Sequence, residues 1–246
     1  LQMLEEKINS LFQKTEIVVL PEMFSTGFTM KPELFAETME GPTVEWMKRL
    51  SASNRVILTG SLVIKEGEKY FNRLIWVMPN GEIGYYDKRH LFAYGEEDKH
   101  YTAGNKRLIA SVKGWKINLQ VCYDLRFPVW ARQTPMDKNE PAYEYDVLIY
   151  VANCPDRRSH AWKTLLCARA IENQCYVVGV NRVGKDGNDI YHSGNSLVID
   201  PLGEVLYHMA DEEDIFTITL QKDWLEEVRT KFPFLKDGDQ FMVHSL

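Results

Sequence analysis

Three side chains capable of chemistry close three apolar runs in this sequence. Ile17-Val18-Val19-Leu20 leads through Pro21 to Glu22, the run from Glu82 ends at Lys88, and Asn118-Leu119-Gln120-Val121 leads to Cys122. Each run reads as a strand, and ligands of α/β sheets bind beyond strand ends. A carboxylate, an ammonium and a thiol gathered there divide one task between them. The carboxylate takes the thiol proton and later hands it to a leaving amine. The ammonium stabilises a tetrahedral oxyanion, an effect of about 3–4 kcal/mol for comparable donors. The chemistry is attack by a cysteine on a carbonyl or nitrile carbon. Taken singly, each residue has an ordinary explanation. A lone cysteine in an apolar run is usually a small buried hydrophobe. Glu22 can cap a turn, and Lys88 can belong to the charge run Asp87-Lys88-Arg89-His90. Their shared placement at strand ends argues for convergence.

The chain has 246 residues, 45% hydrophobic and 26% charged, enough to bury a core in one large α/β domain or two small ones. A net charge of −6 argues against nucleic acid or an anionic membrane as partner. No apolar run reaches the roughly 20 residues of a membrane helix. Residues 1–14 are charged and amphipathic, unlike a signal peptide, so a cytoplasmic setting with reduced thiols is expected. Cys122, Cys154, Cys167 and Cys175 show no C-x-x-C spacing and the six histidines are scattered, so no metal site is expected.

Leu1, Leu4, Ile8, Leu11 and Phe12 recur at helical spacing, and Thr43–Ser53 repeats the pattern after Gly41-Pro42. Strands are expected over 17–20, 55–64, 70–78 and 82–88, with a hairpin about Asn80-Gly81. Residues 92–104 read as a loop or short helix. Strands over 107–112 and 115–123 pair about Lys113-Gly114, and the polar stretch 132–144 reads as a surface excursion. Residues 146–151 form a buried strand, and Ser159 is placed to cap a helix reaching Asn173 with Trp162, Leu165, Leu166 and Ala170 inward. Strands follow over 175–183, 196–200, 204–208 and 215–220, then a helix over 223–231. From Phe232 the tail is aromatic and charged and is expected to dock. Hairpins and helical crossovers together predict mixed sheets in an α/β chain. No composition shift or repeat marks a boundary, so residues 1–246 read as one domain.

Leu20-Pro21-Glu22-Met23-Phe24, Tyr86-Asp87-Lys88-Arg89-His90-Leu91-Phe92 and Val121-Cys122-Tyr123-Asp124-Leu125-Arg126-Phe127-Pro128 resemble the three signature stretches of the nitrilase superfamily, carbon–nitrogen hydrolases with a Glu-Lys-Cys triad. The resemblance spans nearly the whole chain, including residues 150–155 and 168–173. Cys122 to Trp130, Asn181-Arg182-Val183-Gly184 and Lys231-Phe232-Pro233 resemble the omega-amidase branch. It implies a four-layer α-β-β-α sandwich, a homodimer and no metal or organic cofactor. It also implies a strand before the first helix, so the first strand is expected to precede residue 1.

By the same resemblance, Glu22 is the general base, Lys88 the oxyanion-stabilising lysine and Cys122 the nucleophile, with the Tyr123 N–H as second oxyanion donor. A second glutamate is implied beside the cysteine, and spacing to Tyr101 and Gly104 favours Glu97 over Glu96. Phe28, Phe92, Tyr123 and Trp162 are candidates to wall the substrate pocket, although each residue type is more often core than contact. The implied substrate is a small dicarboxylate monoamide such as 2-oxoglutaramate or 2-oxosuccinamate. Its free carboxylate calls for a cation. Arg126 follows the nucleophile but can equally pair with Asp124, and Arg157 and Arg158 are alternatives. Rival readings are an aliphatic amidase, an N-carbamoyl amino-acid hydrolase, a nitrilase, or an inactive binding module on the same fold. A cysteine protease lacks a histidine convincingly paired with Cys122.

Overall fold

Val147, Ile149 and Val151 face one way along their strand, Leu148, Tyr150 and Ala152 the other, and all six are buried. A strand apolar on both faces must lie between two layers. The computed structural model describes residues 1–11, 15–133, 143–239 and 241–243. In chain order it contains α1 (Gln2–Asn9), β1 (Ile17–Val19), α2 (Pro32–Phe35), α3 (Pro42–Asn54), β2 (Ile57–Glu66), β3 (Lys69–Val77), β4 (Ile83–Asp87) and α4 (Glu97–His100). Then follow β5 (Leu108–Val112), β6 (Trp115–Val121), α5 (Pro128–Ala131), β7 (Val147–Ala152), α6 (Ser159–Asn173), β8 (Tyr176–Asn181), β9 (Val183–Lys185), β10 (Tyr191–Ile199), β11 (Val205–Ala210) and α7 (Lys222–Lys231).

One sheet has the order β1-β2-β3-β4, with β1 parallel to β2 and the rest antiparallel. The other runs β11-β10-β8-β7-β6-β5, with β6, β7 and β8 parallel and β9 paired to β10. Ile57, Leu74, Trp76 and Tyr86 of the first sheet meet Ile117, Leu119 and Val121 of β6 and Val147, Ile149 and Val151 of β7 in the core between the sheets. Val44, Met47 and Leu50 of α3 cover the outer face of the first sheet, and Trp162, Leu166 and Ala170 of α6 cover that of the second. The expected α-β-β-α sandwich with mixed sheets is therefore the fold.

Local chemistry sets the joints. Lys113 and Gly114 both take positive φ, 47° and 80°, giving the two-residue turn that matches strand twist between β5 and β6. At Gly179 of β8 an added Cβ would sit 2.5 Å from Leu166 and 2.9 Å from Trp162, so glycine lets α6 lie close against the sheet.

Several expectations change. Ser159 begins α6 rather than capping it; the capping position is Arg158, which makes no side-chain cap bond. The expected strand 175–183 divides into β8 and β9, and β10 starts at Tyr191, before the expected 196. Residues 215–220 form no strand, because a strand needs a ladder partner and none lies beside them among the described residues. They line a groove of about 1580 Å³ together with β1. Of the tail, Leu235 is buried and the Phe232 carbonyl accepts from Gln174. Phe12 and most of the expected excursion, residues 134–142, lie outside the described residues. Among those described, no helix is long and apolar enough to cross a membrane.

Candidate active site

Glu22 lies just past β1, Lys88 immediately past β4 and Cys122 immediately past β6, so the two sheets bring them to one place. Burial and bonding separate this cluster from an accidental meeting. Glu22, Lys88 and Glu97 are 1%, 1% and 0% exposed. The Lys88 Nζ lies 2.9 Å from Glu22 Oε1 and 2.9 Å from Glu97 Oε2. The same Nζ lies 3.1 Å from Glu97 Oε1, so two buried carboxylates share one ammonium.

Further donors fix the carboxylates. Asn72 Nδ2 donates to Glu22 Oε1 at 2.8 Å and to Glu97 Oε1 at 3.0 Å. The Asn153 N–H donates to Glu22 Oε2 at 2.8 Å, and its side-chain amide to the Glu22 carbonyl at 3.1 Å. The Phe92 N–H donates to Glu97 Oε2 at 2.7 Å. Glu96, by contrast, is exposed and pairs with Lys99. Gly104 closes the back of the Lys88 turn: its N–H donates to the Lys88 carbonyl, and a Cβ there would collide with the Asp87 carbonyl oxygen.

Cys122 opens a 3-10 turn, Cys122–Arg126, with φ +40°, a region that side-chain-bearing residues rarely occupy. Asp124 holds this bend. Its buried carboxylate accepts from the Val121 N–H at 3.0 Å, the Tyr86 hydroxyl at 2.8 Å and the His90 N–H at 2.9 Å, and lies 2.8 Å from His90 Nδ1. The Cys122 bend is thereby tied to the segment that carries Lys88. Arg126 is not the partner of Asp124: that carboxylate is saturated by residues 86, 90 and 121, while Arg126 is exposed.

The electrostatics follow from this enclosure. Burial pushes the Cys122 thiol well up, the Glu22 charge adds to the rise, and Lys88 opposes it. A thiol so raised attacks only with a base beside it to take its proton. Burial disfavours the Lys88 charge, but Glu22, Glu97 and Cys122 outweigh it and raise the lysine above its ordinary range. Burial first, then the Glu22 charge, raises Glu97 despite Lys88.

A cavity of about 230 Å³ opens over Cys122 and Lys88. This is below the usual range for drug-sized ligands, so it suits a small molecule. Phe28, Phe92, Tyr123 and Trp162 all line it, as do Arg126 and Arg158, whereas Arg157 does not. Tyr123 meets Phe92 edge-on at 5.0 Å, and the Trp162 indole N–H donates to the Asn195 carbonyl. The larger groove along β1 reaches Glu22 and Arg158 but not Cys122 or Lys88, so the cluster of Glu22, Lys88 and Cys122 faces the smaller space. Among the described residues no three His, Cys, Asp or Glu side chains are arranged to hold a metal ion.

Sequence reasoning missed Asn72, Asn153 and Cys154. Asn72 carried a signal, an amide in the middle of a strand otherwise rich in large apolar residues, where it must be satisfied by a partner. Cys154 shares the cavity with Cys122, and burial lifts its thiol to about 11.

Residues 1–230 match the family described as Carbon-nitrogen hydrolase. The chain is 42% identical to the omega-amidase YafV of Escherichia coli (strain K12) over 232 residues, covering 93% of this chain and 86% of that protein. It is 33% identical to the 2-oxoglutaramate amidase of Bacillus subtilis (strain 168), covering 90% and 84%. A crystal structure of XC1258 from Xanthomonas campestris, a CN-hydrolase superfamily protein with an arsenic adduct in its active site, superposes with a TM-score of 0.95 at 43% identity, covering 99% and 92%. With a family match across nearly its whole length and these identities, the chain belongs to the carbon–nitrogen hydrolase family, the nitrilase superfamily.

Proposed function

We propose that the protein is a cysteine-dependent omega-amidase that hydrolyses a small dicarboxylate monoamide, such as 2-oxoglutaramate or 2-oxosuccinamate, to the 2-oxo acid and ammonia. The observation that carries it is the buried Lys88 held between Glu22 and Glu97 beside the Cys122 bend. Glu22 takes the Cys122 proton as Sγ attacks the amide carbonyl. The Lys88 ammonium and the Tyr123 backbone N–H hold the oxyanion. The C–N bond breaks as Glu22 returns the proton to the departing nitrogen, leaving an acyl thioester and ammonia. Glu22 then activates water, which releases the carboxylic acid and restores the thiol. Glu97 acts through Lys88, fixing its position. Phe28, Phe92, Tyr123 and Trp162 wall the substrate and exclude bulk water.

In this reading residues 1–246 act as one catalytic domain of a cytoplasmic homodimer. Support for these points is the superfamily resemblance and the expectation of reduced thiols. The small cavity and the names of the relatives favour a short linear amide over larger substrates.

The test is ammonia release by the purified protein on 2-oxoglutaramate beside glutamine, an aliphatic amide, an N-carbamoyl amino acid and a nitrile. Fast release from the 2-oxo monoamide, with the others far slower, is expected. Preference for another member of the panel would reassign the substrate. Silence on all of them would favour the binding-module reading.

A further inference from the structure

We infer that Arg158 is the specificity-determining cation of the site, receiving the far carboxylate of the substrate. The inference rests on the omega-amidase reading and names the residue that makes the site prefer an acid over a neutral amide. A substrate with a carboxylate opposite its amide must bury that charge against a cation. Lys88 cannot supply it, since Glu22 and Glu97 already hold its ammonium. Among the described residues, the remaining cations lining the cavity are Arg126 and Arg158.

The two differ in setting. Arg126 is exposed, where water screens its charge. Arg158 is half-buried, and its guanidinium lies 4.7 Å from the Phe92 ring centroid. Stacking occupies a face of the guanidinium and leaves the N–H edge available for a bidentate carboxylate. Arg73, Arg107, Arg169 and Arg229 each hold a carboxylate of the chain itself. Arg158 pairs with none among the described residues, and its charge instead acts on the neighbouring Cys154 thiol. Leu125, Ala161, Trp162 and Leu165 add apolar wall to the same cavity, where an unpaired anion is costly and a cation is needed. The ring under Arg158 belongs to the residue whose N–H holds Glu97. Binding of the far carboxylate and positioning of Lys88 therefore share Phe92.

The experiment compares kcat/KM on 2-oxoglutaramate and on a neutral aliphatic amide of similar length, for the wild type, Arg158→Met, Arg158→Lys and Arg126→Met. The wild type should prefer the acid. In Arg158→Met that preference should fall about 10- to 100-fold, the range of a charged hydrogen-bonded pair, mostly through KM. Arg158→Lys should keep part of it, because the charge remains and the planar fork is lost. It also keeps the test usable if the methionine variant is poorly folded. The inference is overturned if both Arg158 variants retain the wild-type preference, or if Arg126→Met loses more of it than Arg158→Met. A wild type indifferent to the carboxylate would instead refute the omega-amidase reading on which the inference rests.

Discussion

Cys122→Ala should abolish amide hydrolysis, with kcat/KM falling by at least about 10⁴-fold, the scale seen when a covalent nucleophile is removed. The fold should survive. The change deletes one atom at the edge of a cavity, and alanine tolerates the +40° φ no worse than cysteine does. Asp124 and its donors from residues 86, 90 and 121 still hold the bend. Stability by urea denaturation should therefore change by less than about 1.5 kcal/mol. Cys154 cannot substitute for the missing thiol. Its sulfur belongs to the loop after β7, outside the bend that seats Cys122. Turnover by the alanine variant would end the proposed mechanism, whatever its rate on other amides.

Glu97→Gln should lower kcat by about 10²-fold while KM moves only a few-fold, as for loss of one group that supports an oxyanion donor. The two carboxylate oxygens of Glu97 accept from Asn72, Lys88 and the Phe92 N–H. A glutamine offers one oxygen. Its NH₂ must then face either the Asn72 amide or the Phe92 N–H, donor against donor, with Lys88 on both sides. The ammonium also loses one of its two counter-charges and is drawn toward Glu22, away from the developing oxyanion. A pH profile separates this positioning role from a general loss of stability. Burial and the Glu22 charge raise Glu97, so its carboxylate is protonated at a higher pH than an exposed glutamate would be. Wild-type kcat should accordingly fall on the acid side within the range of a raised carboxyl. The glutamine variant should lack the part of that limb contributed by Glu97. A normal rate with an unchanged profile would make Glu97 a buried structural residue only.

The meeting of Glu22, Lys88 and Cys122 was legible in the sequence because each sits where local signals change. Glu22, Lys88 and Cys122 each follow a readable strand, and Trp162 falls on the inward stripe of a helix that ends at Asn173 as expected. What holds those groups in place was not legible, since it depends on contacts between distant segments. Asp124 looks in the sequence like a partner for nearby Arg126, yet beside the Val121 N–H its donors are Tyr86 and His90, 38 and 34 positions earlier. Asn72 reads as one polar residue in a strand until the fold sets it against Glu22 and Glu97. Residues 215–220 have strand composition, but a strand exists only where a neighbour completes its ladder. Sequence pattern gives the faces of the elements, and the pairing of those faces gives the site its electrostatics.

The most direct test of the account is to quench the full chain in acid during turnover of 2-oxoglutaramate and map the modified peptide by mass spectrometry. The account predicts an acyl group equal in mass to the substrate less ammonia, carried on Cys122 and released by hydroxylamine as a thioester should be. Turnover without any such adduct, or with the acyl group on Cys154, would contradict it.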